Sequence, residues 1–128
     1  MRATRRPGAR TFTFPRLPTW IRSLKPEERA EAILVVELLE VHGNDLAMPH
    51  ARYIEAGLWE LRAHVRRVQL RILYFHWKGR TFGLLPGFAK RTVATPRADV
   101  RVALDRRSVW LAREQGREPK SKGGEAES

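Results

Sequence analysis

Apolar residues follow two different rhythms along this chain. Between positions 26 and 42 they recur every three to four residues, as Ile33, Val36 and Leu39 beside Leu34, Leu38 and Val41. That period predicts a helix over Pro26–His42. Pro26 suits its first position, Glu27 and Glu28 suit the positive end of its dipole, and Gly43 is a natural stop. The face carrying Glu31, Glu37 and Glu40 is expected to be solvated. Downstream the rhythm shortens to two. Arg52–Ile54, Leu58–His64, Leu70–Trp77 and Thr81–Leu85, extending toward Phe88, read as strands. Turns fall at Glu55-Ala56-Gly57, at 65–68 and at Lys78-Gly79-Arg80. Pro86 cannot donate to a ladder, so it marks an edge or a bulge. Thr11–Phe14 is a further short strand, and Trp20–Leu24 a turn of helix. Pro96 opens a last helix with Val100, Ala103, Leu104, Arg107 and Leu111 along one side.

Helix, meander, helix predicts an α+β domain: an antiparallel sheet of three to four strands with helices packed on one face. The domain is expected over residues 11–113. Residues 1–10 are basic without an apolar pattern and read as a flexible arm. Residues 114–128 lack apolar anchors and read as a disordered polar tail.

The stretch GLWELRAHVRRVQLRILYF, residues 57–75, places arginines inside strands. A turn at 65–68 sets His64 opposite Gln69, Arg62 opposite Arg71 and Trp59 opposite Tyr74. Opposed residues share a face. Trp59, Leu61, Ala63, Leu70, Ile72 and Tyr74 then form the core face, and Glu60, Arg62, His64, Gln69, Arg71 and Leu73 the other. Two opposed arginines repel unless something neutralises them. Glu60 does so in a purely structural reading, with Arg62 and Arg71 on a solvated face. A phosphate does so in a functional one, since guanidinium forks match phosphate oxygens. Lys90 and Arg91 follow the next strand and are expected to approach the same face, with Arg66 and Arg67 at its rim. Such a cluster would stabilise the extra charge of a pentavalent phosphate.

Charge along the chain sharpens this. The 128 residues carry a formal net charge of +11, which favours anionic partners. From Glu27 to Glu60 there are eight acidic residues and two basic ones, whereas Leu61 to Ala98 holds nine basic residues and none acidic. A solvated face normally mixes signs, so the one-sign segment points to an anion site. With no cysteine, disulfides and thiolate chemistry are excluded. His42, His50, His64 and His76 lack metal-ligand spacing, so no metal and no cofactor are expected. No stretch is long enough to span a membrane and no secretory leader is recognisable. His64, His76 and Tyr74 are the candidate general bases, and Trp77 the aromatic to test for base stacking.

The segments GLWELR (57–62), LRILYF (70–75), GFAKRTVATP (87–96) and ALDRRSVW (103–110) occur in the order seen in HigB-like toxins. These belong to the RelE superfamily of type II toxin–antitoxin systems and overlap a group of phage-derived proteins. The resemblance spans roughly residues 12–112. It implies a microbial RNase-like fold and metal-free endoribonuclease action on mRNA, usually on the translating ribosome. It also implies a helix-turn-helix antitoxin partner and a cytoplasmic setting. In that pattern Arg62, Arg71 and Lys90 take the catalytic positions and Arg91 is the second cation beside Lys90; Arg91, with Arg66 and Arg67 of the turn, is expected to contact RNA. Four departures stand out: Leu70 where an aromatic is usual, Arg91 for lysine, Pro86 in the strand, and Trp110 in the region where some members place a catalytic tyrosine. The alternatives are a non-catalytic RNA- or ribosome-binding module and a basic protein whose only ligand is an acidic antitoxin.

Overall fold

A computed structural model of the chain describes residues 8–90 and 95–117. They fall into two compact units, one ending at Thr95 and the other beginning at Pro96. The first unit holds β1 (Arg10–Thr13), α1 (Leu17–Ser23), α2 (Pro26–His42), β2 (Ala51–Glu55), β3 (Leu58–Val65), β4 (Val68–His76) and β5 (Thr81–Lys90). The second holds α3 (Arg97–Arg117).

The α+β class is as expected, but the sheet has five strands and is mixed. Its order is β1-β5-β4-β3-β2. The β2 to β5 run is the antiparallel meander, and β1 adds in parallel to β5, with Arg10 opposite Thr81 and Thr13 opposite Leu84. A parallel partner needs a long crossover, which α1, α2 and the next three strands supply. Arg10 therefore belongs to the sheet rather than to an arm, and Ala9 is buried. The rest of the expected arm, residues 1–7, lies outside the described residues. Likewise α3 continues through residues 114–117, and the remainder of the expected tail lies outside the described residues.

The β3–β4 register is the one the turn predicted. Trp59 faces Tyr74, Leu61 faces Ile72, Arg62 faces Arg71 and His64 faces Gln69. Arg66 takes a positive φ of 55° in the turn, which brings the two strands directly back on each other. In β5, Leu84 opposes Tyr74 while Gly87 opposes Ile72, so Leu85 and Pro86 together oppose Leu73. The proline thus sits in a bulge, past the last residue paired with β1. The strand is not broken there, as two residues share one ladder position.

One face of the sheet packs on α1 and α2. Leu61, Ile72, Tyr74 and Leu84 meet Leu17, Val35 and Leu39, with Trp20 and Trp59 at the margin. Of the expected α2 rows, Leu39 is in this core and Val36 and Leu38 pack against it, but the other three do not. Ala32, Val35 and Leu39 are buried, whereas Ile33, Leu34 and Val41 are exposed. Apolar residues run almost round this helix, so their spacing suits more than one face. Of the three glutamates, Glu37 is exposed, while Glu31 and Glu40 are half-buried. Glu40 accepts a hydrogen bond from Thr11 Oγ1 at 2.7 Å. Close approach matters at Gly87, where a Cβ would lie 2.6 Å from the Trp20 ring and 2.8 Å from the Arg71 carbonyl. In α3, Val100 and Ala103 of the expected row are buried and Leu104, Arg107 and Leu111 half-buried.

Candidate functional site

The second face of the sheet was expected to be open. It is largely buried instead: Leu58, Glu60, Arg71, Leu73, Phe75 and Leu85 are each at most 2% exposed. At its β1 side Phe12 stacks on Phe14 and both meet Phe75 edge to face, with centroids 5.9–6.3 Å apart. This leaves a buried charged cluster in the middle of β3 and β4.

Glu60 is its centre. It is fully buried and shares a face with Arg62 two residues on, and cross-strand neighbours complete the set. Glu60 Oε1 accepts from Arg62 Nη1 at 2.8 Å and lies 3.4 Å from Arg52 Nε and 3.6 Å from Arg71 Nε. Glu60 Oε2 accepts from Thr95 Oγ1 at 2.5 Å, which ties the chain beyond β5 to the same carboxylate. Arg52 arrives because β2 places it directly opposite Glu60. Three guanidiniums thus surround one carboxylate.

Their exposures separate their roles. Arg71 is 1% exposed and its Nη donors serve the protein, while its buried Nε makes no hydrogen bond and lies 3.6 Å from Glu60 Oε1. Nη1 donates to the Leu70 carbonyl at 3.0 Å and Nη2 to Gln69 Oε1 at 3.0 Å. Burial, and then repulsion from Arg62, lower its pKa; Glu60 opposes this, and Arg52 adds a further lowering. Arg71 therefore does not turn outward, as expected from a solvated sheet face, but inward onto Glu60. Arg62 is 14% exposed and Arg52 42%. The cationic surface of the cluster is theirs.

Around it, His64 is exposed, and Gln69 and Phe88 are half-buried. Phe88 stands opposite Arg71, and the Lys90 backbone opposite Gln69. The sheet therefore brings Arg62, Arg71 and the Lys90 position to one end, as expected. Arg91 lies outside the described residues. Arg66 and Arg67 are exposed in the β3–β4 turn, but Arg66 pairs with Glu27 of α2 at 3.0 Å rather than with the cluster. An exposed pair of this kind contributes little stability. Arg52 is the member that sequence reasoning missed.

The three candidate bases part company as well. Tyr74 lies in the core against α1 and α2, only 3% exposed, and burial pushes its phenol pKa well above the ordinary value. His76 Nε2 hydrogen-bonds the Gly79 carbonyl at 2.5 Å, at the opposite end of β4. His64 alone among them stands at the cluster's end of the sheet. Trp77 meets Phe12 edge-on and carries the Lys78 ammonium 4.8 Å above its ring, so its indole already has neighbours.

The Tyr74 shift has a measurable sign. The folded protein favours the neutral phenol, so its stability is intact below the unfolded pKa of about 10 and falls as pH rises beyond it. Thermal melts at pH 9 and pH 11 are expected to show a smaller loss for Tyr74→Phe than for the wild type. Equal losses in the two proteins would refute the assignment.

Among the described residues no group of three His, Asp or Glu side chains is placed to hold a metal ion, and no helix is long and apolar enough to cross a membrane. The sequence profile of a family described as phage-derived protein Gp49-like (DUF891) matches residues 19–108. Two similar proteins, each named "Probable endoribonuclease HigB1", come from the CDC 1551 and H37Rv strains of Mycobacterium tuberculosis. Each is 33% identical over 86 residues, which cover 67% of this chain and 68% of the relative.

Proposed function

This chain belongs to the phage-derived Gp49-like family and is a HigB-like toxin by similarity, and on that premise we propose that it is an endoribonuclease acting on mRNA. The observation that carries the reading is the cluster of Arg52, Arg62 and Arg71 on the single carboxylate of Glu60. Three positive charges against one leave an excess that a scissile phosphate would balance. Arg62 is the contacting group. Arg71 acts from behind, fixing Glu60 and Gln69 so that the Arg62 fork holds one orientation.

In the proposed reaction the RNA 2′-hydroxyl attacks the neighbouring phosphorus. A P–O2′ bond forms, the P–O5′ bond breaks, and a 2′,3′-cyclic phosphate and a 5′-hydroxyl result. The 2′ proton must leave and the 5′ oxygen must gain one. His64 and Lys90 are the proposed proton carriers, with Arg67 and Arg91 as RNA contacts and Arg66 at the rim. No metal takes part. The proposal extends to cleavage on the translating ribosome, to cytoplasmic action and to neutralisation by a helix-turn-helix antitoxin.

A specific observation supports a second reading. The most central cation, Arg71, is buried with its Nη donors turned to protein acceptors, and the tyrosine of the hairpin is in the core. A non-catalytic RNA- or ribosome-binding module would tolerate both. Inducing the chain from a tight promoter and mapping mRNA 5′ ends decides between them. The enzyme predicts growth arrest with new 5′-hydroxyl ends, and the purified protein keeps cleaving in the presence of a chelator. Arrest without new ends would establish the binding module. Soluble protein with neither effect would sink both.

A further inference from the structure

The other end of the sheet gathers cations too. A cavity of about 410 Å³ is lined by Gly8, Ala9, Arg10, Lys78, Gly79, Arg80 and Thr81. It joins the start of β1 to the β4–β5 turn. Arg10, Lys78 and Arg80 are all exposed, and no carboxylate is among the lining residues.

The backbone holds this arrangement from several sides. Arg10 N–H donates to the Arg80 carbonyl at 2.8 Å, and Thr81 N–H to the Lys78 carbonyl at 2.8 Å. Trp77 N–H donates to the Thr81 carbonyl at 2.9 Å. Gly79 adopts a positive φ of 53° at the turn, and the His76 ring donates from Nε2 to its carbonyl. A carbonyl only accepts, so the proton is on Nε2. The Lys78 ammonium lies 4.8 Å above the Trp77 ring. The fold thus places three cationic side chains around one concavity, a surface that attracts anions. From Arg71 to His76, where β4 ends, is five residues of extended strand, or about 17 Å at the usual rise, and Lys78 lies beyond it. This is not the Glu60 cluster.

We propose that the cavity formed by Arg10, Lys78 and Arg80 is a second contact for single-stranded RNA, which grips phosphates well away from the Glu60 cluster. The choice of RNA over another polyanion rests on the endoribonuclease reading. The geometry itself fits a run of phosphates: the three cations come from two strand ends, which suits an extended backbone.

The test uses the full chain and a fluorescein-labelled 20-nucleotide RNA, with Arg10→Ala/Lys78→Ala/Arg80→Ala as the variant. Each phosphate contact on a single strand contributes about 0.7 to the slope of log affinity against log salt. Loss of three contacts lowers that slope by about 2, so the wild type's advantage shrinks about 20-fold between 50 and 200 mM salt. Arg10→Lys/Arg80→Lys retains the slope, and all variants melt with the wild type because these side chains are exposed. An unchanged slope in the triple variant overturns the inference even if the wild type cleaves RNA. A lowered slope in the triple variant, beside a wild type that binds RNA but never cleaves it, upholds the inference while the enzymatic reading fails. If inorganic polyphosphate binding falls but RNA binding does not, the site is for another anion and the proposal is wrong.

Discussion

Replacing Glu60 with leucine is expected to destabilise the protein by about 3–5 kcal/mol, the usual cost of stranding a buried charge. The size follows from what the carboxylate does. It is fully buried, accepts from Arg62 and Thr95, and sits 3.6 Å from Arg71 Nε. Arg52 and Arg62 have partial access to water and can be resolvated once Glu60 is gone. Arg71, at 1% exposure, cannot. Its Nη atoms keep the Leu70 carbonyl and Gln69, but its positive charge loses its only counter-charge within the cluster. Urea unfolding measures the loss. The companion variant Glu60→Leu/Arg71→Met removes both buried charges, and it recovers most of the stability. If Glu60→Leu alone were neutral, or if the double variant were worse than the single, the cluster would not be held together by this charge balance.

That cluster shows how far the residues alone reach. The Arg62–Arg71 pairing was legible because a hairpin's register is fixed by its turn, and the turn at 65–68 has few alternatives. The same logic applied to the turn at 55–57 would have placed Arg52 opposite Glu60, as observed. Pro86 announced an edge or a bulge because a proline has no donor to give the ladder, and the ladder shows the bulge. Three things could not be read. Parallel pairing of β1 with β5 joins segments some seventy residues apart through only four registered positions, and no local pattern encodes that. The buried face of α2 could not be chosen because apolar residues surround the helix. Burial of Arg71 could not be seen because a strand with charges on one face looks the same whether that face meets water or protein. Its neighbours Leu73 and Phe75, on the same face, were the available signal: two large apolar groups next to an arginine argue for cover.

Burial also divides the work of the two paired arginines, and that division yields the sharpest functional expectation. Arg62→Ala is expected to lower the single-turnover cleavage rate by about 10²–10³, the typical loss when one donor to a developing oxyanion is removed. The fold should survive, because Arg62 is at the cluster's surface and Glu60 still has Arg52, Arg71 and Thr95. Arg62→Lys keeps the charge without the fork and should fall between the two. Arg71→Gln is expected to behave the other way round. It removes a cation that contacts protein carbonyls and Gln69, so the melting temperature drops while RNA affinity, measured well below the melt, stays near that of the wild type. The outcome that would reverse these assignments is specific. If Arg71→Gln stayed folded yet lost RNA binding, while Arg62→Ala cleaved normally, the hairpin would meet RNA through Arg71 only after opening its buried face.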